Sequence, residues 1–151
     1  MALATSFQDR TARKLALLLV EDDDVDREFL IRQLQNQGMD ARVETAADGA
    51  EALETLRRNR SRGSLRDHYI VLLDLKMPGM DGATFLKALR AEPGLAATVV
   101  FVVSGSRDEA DIRFAYQHRA VGYLSKADLG PDCRSVLELI ERYGASVSLP
   151  S

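Results

Sequence analysis

The sequence predicts an α/β fold, a doubly wound sheet of five parallel strands covered by helices on both faces. Three observations predict it. Five short apolar runs have strand length, segments of helical period separate them, and the two patterns alternate five times. The runs are rich in Val, Ile and Leu without polar alternation, which suits strands buried on both faces.

Residues 1–13 are mixed and polar, so a flexible leader is expected before a folded unit over 14–144 and a tail over 145–151. Leu15–Val20 is the first strand, and Val25, Phe29, Leu30 and Leu34 give the next segment a helical stripe. Ala41–Thr45 is a weaker second strand, followed by a helix carrying Leu53 and Leu56. The segment Arg57–Asp67 holds five arginines and Gly63, and reads as a long surface loop, solvated or docked on an acidic partner. Tyr69–Leu73 and Thr98–Val103 are the most continuously apolar runs, with a helix of Phe85, Leu86 and Leu89 between them. A helix with Ile112, Ala115 and Tyr116 precedes the fifth strand, Ala120–Leu124. The last helix is expected from about Asp132 to Tyr143, with Cys133, Val136, Leu137 and Ile140 facing the core. Leu139 and Tyr143 widen that stripe, and the surplus points to a partner surface.

Composition narrows the function. At 151 residues, 46% hydrophobic and 28% charged, the chain allows one packed domain. Its 23 acids against 20 bases leave no basic field for nucleic acid. A single cysteine forbids an intrachain disulfide, and with only two histidines a zinc site of the Cys/His type is excluded. Leu15–Val20 is far shorter than the roughly 20 residues of a membrane span, and no signal-peptide core is visible. A cytoplasmic protein without a membrane or nucleic-acid partner is expected.

In open α/β sheets the site lies outside the carboxyl ends of the strands. Those ends carry Glu21 and Asp22 after the first strand, Asp74 after the third, Ser104 after the fourth and Lys126 after the fifth. Asp23, Asp24 and Asp26 read as a solvated helix start favoured by the helix dipole. Asp74, closing a buried run, needs a cation or hydrogen bonds to compensate it. Three converging carboxylates repel one another, and a hard divalent cation, magnesium first, is the simple remedy. Beside that cation and the Lys126 ammonium, Asp74 has what a phosphoryl-accepting nucleophile needs, with the Ser104 hydroxyl set to bind a phosphoryl oxygen.

The motifs V-E-D-D at Val20–Asp23, D-L-K-M-P-G-M-D-G at Asp74–Gly82, V-S-G-S at Val103–Ser106 and Y-L-S-K at Tyr123–Lys126 together resemble a response-regulator receiver domain, from about Lys14 to Tyr143. The resemblance implies a flavodoxin-like strand order 2-1-3-4-5 with five helices. It implies Asp74 as phosphoacceptor, and Glu21, Asp22, Asp74 and the Lys76 backbone carbonyl as Mg2+ ligands. Ser104 and Tyr123 would be the switch hydroxyl and aromatic, and Lys126 the phosphate-contacting lysine. Small Gly105 would leave room for the phosphoryl group, and Lys76 and Ser106 would flank it and tune its lifetime.

One departure stands out. The family usually has proline after that lysine, often after a cis bond, where this chain has Ala127. A cis bond before alanine costs about 2.5–4 kcal/mol, so a trans bond and a reshaped loop over Ala127–Gly130 are expected. The resemblance is narrower still to single-domain receivers of phytochrome-type or other hybrid-sensor histidine kinases. It implies a two-component phosphorelay protein, not an enzyme beyond self-phosphorylation and autodephosphorylation, acting as a homodimer through its last helix, fourth helix and fifth strand, with the C-terminal tail reaching the partner. Two alternatives stand beside it: an unphosphorylated pseudo-receiver scaffold, and a phosphohydrolase with an aspartyl nucleophile, against which Lys76 replaces the second acid two residues after Asp74.

Overall fold

The computed structural model describes residues 15–36, 41–77, 80–131 and 133–150, with the side chain of Ser64 left aside; the expected leader over 1–13 lies outside them. The strands are β1 (Leu15–Val20), β2 (Arg42–Ala46), β3 (His68–Leu73), β4 (Val99–Ser104) and β5 (Gly122–Ser125). The helices are α1 (Asp24–Asn36), α2 (Gly49–Ser61), α3 (Gly82–Ala91), α4 (Glu109–Gln117) and α5 (Arg134–Ser146). All pairings are parallel and the order is β2-β1-β3-β4-β5, as expected.

Alternation along each strand divides the core. Ala16, Leu18, Val20, Val71 and Val102 pack with Leu53 and Leu56 of α2, Phe85 and Leu89 of α3 and Ala115 of α4. Leu17, Leu19, Ile70 and Phe101 pack with Leu30 and Leu34 of α1 and Leu137 and Ile140 of α5. Each fully buried leucine contributes about 1.5–3 kcal/mol, which is why the apolar runs dominate the fold. Side-chain caps start four helices: Asp23, Asp48, Asp81 and Asp108 accept from the backbone N–H groups of Asp26, Glu51, Thr84 and Ala110.

Three expectations need correction. The arginine-rich segment is not a loop through its length, because α2 continues to Ser61 and a 3-10 turn follows at Gly63–Leu65. Arginine is a good helix former, and Arg57 is held against Glu92 beyond α3 by a bidentate contact. The last helix does not stop at Tyr143. It continues through Gly144, where a Cβ would stand 3.0 Å from Leu15, so that glycine permits close packing rather than ending the helix. Tyr143 is likewise no surplus surface residue: its ring meets Phe101 edge-on at 5.4 Å, and only Leu139, 45% exposed, remains of the extra stripe. The tail also turns back on its own chain, with Leu149 against the α1/α5 core and the Pro150 carbonyl 3.1 Å from His68.

Candidate functional site

The sheet itself carries the first two acids. The Glu21 N–H donates to the Ala46 carbonyl and the Asp74 N–H to the Val20 carbonyl, so both residues continue the hydrogen bonding just past β1 and β3. Register places Val20 beside Leu73, which sets Glu21 and Asp74 next to each other. Both are buried, at 4% and 8% exposure. Asp22 joins them, and oxygen atoms of the three carboxylates lie within 4.8 Å of one another. The α3 N-terminus closes in from behind: a Cβ on Gly82 would fall 2.1 Å from the Asp74 carbonyl oxygen, so only glycine allows this approach.

Lys126 reaches this cluster from the end of β5. Its Nζ donates to Glu21 Oε2 at 2.7 Å, Asp26 Oδ2 at 2.9 Å and Asp74 Oδ2 at 3.1 Å, which uses all three donors of the ammonium. Burial pushes the Glu21 carboxyl up to about 7; the Lys126 hydrogen bond opposes that and the Asp74 charge adds to it. Burial by itself would lower the Lys126 ammonium, but the bonds to Glu21 and Asp26 and the Asp74 charge outweigh it and raise its value. Three carboxylates thus share one ammonium, and Asp22 adds a fourth negative charge beside Glu21 and Asp74. A hard divalent cation fits this donor set, since oxygen ligands of a single sign attract it and it relieves their repulsion.

Ser104, the last residue of β4, is 1% exposed. Its Oγ accepts from the Ser106 N–H at 3.3 Å, and a Cβ on neighbouring Gly105 would meet no atom within 4 Å, so the space there is open. Tyr123 donates its hydroxyl to the Ser106 carbonyl at 2.8 Å. The Ser106 hydroxyl donates to Asp111 Oδ2 at 2.6 Å and accepts from the Asp108 N–H at 3.1 Å. That hydroxyl, with Lys76 at 3.4 Å, holds the Asp111 carboxyl below its usual range. The Lys76 N–H donates to Asp74 Oδ1 at 3.1 Å.

The structure therefore brings Glu21, Asp22, Asp74, Lys126 and the Lys76 backbone together, with Ser104 and Tyr123 joined through Ser106. Lys126–Ala127 is trans, and the reshaped loop is a 3-10 turn over Lys126–Asp128, then Gly130 in the left-handed region. Among the early acids, Asp23 caps α1 and Asp24 pairs with Arg27, as a solvated helix start requires. Asp26 does not fit that expectation. It turns into the site from the first turn of α1 to hold Lys126. Nothing in the sequence marks Asp111, whose position depends on the path of the loop after β4.

A parallel sheet that gathers buried acids, a hydroxyl and a lysine at one edge defines an acidic pocket of the divalent-cation type on a doubly wound fold. The profile of the response regulator receiver domain matches residues 17–132, and the chain belongs to this family, a family of two-component signalling. It is 32% identical over 127 residues to the probable methanogenesis regulatory protein FilR2 of Methanothrix harundinacea, covering 84% of this chain and 81% of that protein. To response regulator Rcp1 of Synechocystis sp. it is 27% identical over 136 residues, covering 89% of this chain and 92% of Rcp1. The Mn(2+)-bound crystal structure of Rcp1 superposes with a TM-score of 0.74 at 28% identity, over 91% of this chain and 99% of that one. The phosphorylated cyanobacterial phytochrome response regulator RcpA gives 0.77 at 31% identity, over 92% and 99%. Of two other curated relatives the chain spans only 10% and 34%. Among the described residues no helix is long and apolar enough to cross a membrane.

Proposed function

We propose that Asp74 accepts a phosphoryl group from the phosphohistidine of a sensor histidine kinase, and that residues 14–144 act as the receiver unit that converts this into altered protein contacts. The observation that carries the reading is the single ammonium shared by Glu21, Asp26 and Asp74. An Asp74 oxygen attacks phosphorus, the P–N bond breaks, and its electron pair returns to the imidazole. Glu21, Asp22, Asp74 and the Lys76 carbonyl would hold magnesium, which when bound neutralises charge on the phosphoryl oxygens. Lys126 and the Ser104 hydroxyl stabilise the remaining oxygens. As Ser104 moves to the phosphoryl group its bond to the Ser106 N–H is lost, and Tyr123, tied to the same residue, shifts with the loop.

Exposed Val25 and Phe29, one turn apart on α1 beside the Asp26–Lys126 contact, supply an apolar patch for the kinase at the mouth of the site. Likeness to the phytochrome response regulator RcpA supports a phytochrome-type kinase. Exposed Tyr116 on α4, Val121 before β5 and Leu139 on α5 support a homodimer through that face, in a cytoplasmic protein. Sedimentation at rising concentration, with and without phosphorylation, tests the dimer, and a strict monomer in both states removes it.

The deciding experiment is intact-protein mass after acetyl phosphate, with and without magnesium. A magnesium-dependent gain of one phosphoryl group that Asp74→Asn lacks is expected. No gain favours the unphosphorylated scaffold, and rapid release of phosphate without accumulation favours the hydrolase.

A further inference from the structure

Two loops leave the carboxyl end of the sheet beside the phosphoacceptor, one after β3 and one after β4, and a single carboxylate joins them. Asp111, in the first turn of α4, accepts the Ser106 hydroxyl at 2.6 Å and lies 3.4 Å from Lys76 Nζ. Lys76 is two residues from Asp74 and bonded to its side chain through the backbone. Ser106 is bonded to both Ser104 and Tyr123. The Lys76 side chain is 66% exposed, so its ion pair with Asp111 is weak and readily exchanged. A phosphoryl group brings a charge of about −1.5 to −2 and three acceptor oxygens.

Resting on the reading of Asp74 as phosphoacceptor, we propose that Asp111 is a positioning residue that competes with the phosphoryl group for the Lys76 ammonium. It thereby shortens the life of that group and braces the β4–α4 loop in the unphosphorylated arrangement. The phosphoryl group is lost when water attacks phosphorus, the P–O bond to Asp74 breaks with its electron pair returning to the carboxylate, and the water's protons pass to phosphate and solvent. An ammonium seated on the phosphoryl oxygens stabilises the charged adduct and displaces water from it. Asp111 keeps the ammonium away for part of the time.

The test is decay of the phosphorylated mass after removal of acetyl phosphate, on the full chain with magnesium. Asp111→Asn keeps an acceptor for the Ser106 hydroxyl and removes the charge. It is expected to lengthen the half-life roughly threefold, the size of a weak ion pair. In a Lys76→Met background the same substitution is expected to change nothing, and Asp111→Glu to restore the original half-life. An unchanged or shorter half-life in Asp111→Asn, or an equal lengthening without Lys76, overturns the proposal. Failure of the phosphoacceptor reading shows separately, as absence of any mass gain in the unsubstituted protein.

Discussion

The two ends of the sheet each carry a cluster of charge, and the clusters are built on opposite principles. At the amino-terminal end, Arg42 contacts Glu44, Asp67 and the Tyr69 hydroxyl, while Arg62 contacts Asp67 again. Tyr69 donates to Glu44, and burial followed by that carboxylate pushes its hydroxyl up to about 12. Two cations meet two acids, and the polar groups are paired. At the carboxyl-terminal end Glu21, Asp26 and Asp74 share the Lys126 ammonium, with the Asp22 carboxylate beside Glu21 and Asp74. The first cluster fastens β2 and β3 to each other and asks for nothing more. The second holds excess negative charge in a partly buried place, a costly arrangement that a divalent cation would relieve.

Removing the shared ammonium should separate the two ends most sharply. Lys126→Met is expected to reduce phosphoryl uptake at least about 100-fold, the scale of removing one preorganised charge-stabilising donor. It should also lower stability by roughly 3 kcal/mol at pH 8, as loss of one partner from a buried pair does. Urea melts at pH 8 and pH 5 check the second effect, which shrinks at pH 5 because Glu21 is then protonated.

The Glu21 carboxyl itself supplies the next prediction. Its folded value of about 7 lies above the ordinary 4.5, so its contribution to stability is full below 4.5 and is lost as pH rises through 7 in metal-free protein. A divalent cation must displace that proton. Affinity for magnesium should therefore fall about tenfold per pH unit below 7 and level off above it, with proton release on binding. Titration calorimetry in buffers of different ionisation enthalpy measures both, and a flat affinity from pH 5 to 8 contradicts the assignment.

The balanced end should answer differently. Arg42→Met is expected to cost about 1–2 kcal/mol in urea unfolding, since it leaves Glu44 and Asp67 less paired, with magnesium affinity unchanged. Tyr69→Phe should cost about 1 kcal/mol, the value of one hydroxyl hydrogen bond, again without effect on metal binding. A change in magnesium affinity in either variant would show that the clusters are coupled. Smallest of all, Arg57→Ala should leave the thermal midpoint unmoved, because its direct ion pair with Glu92 lies exposed to solvent.

Much of this was legible in the chain. The run Leu15–Val20 matches β1 residue for residue, and the other four strands begin or end within two residues of their apolar runs. Buried parallel strands announce themselves because both faces need apolar side chains. Helix ends were less legible. Gly144 looks like a stop in sequence, and only the nearby Leu15 methyl groups show that its missing side chain serves packing. The arginines after Leu56 look like a solvated loop until Glu92 and Asp67 are seen opposite them.

By itself, then, the sequence determined the strand and helix alternation, the parallel fold and the acids, hydroxyl and lysine of the site, because hydrophobic period and strand-end position are local properties. Only the tertiary structure decided that Asp26 belongs with Glu21 and Asp74, that Ser106 joins Ser104 to Tyr123, and that Asp111 spans two loops. A hydrogen bond depends on angles and on distances of about 3 Å, and whether residues 100 or 105 positions apart, like Asp26 or Glu21 and Lys126, meet within that reach is set by the sheet that carries them.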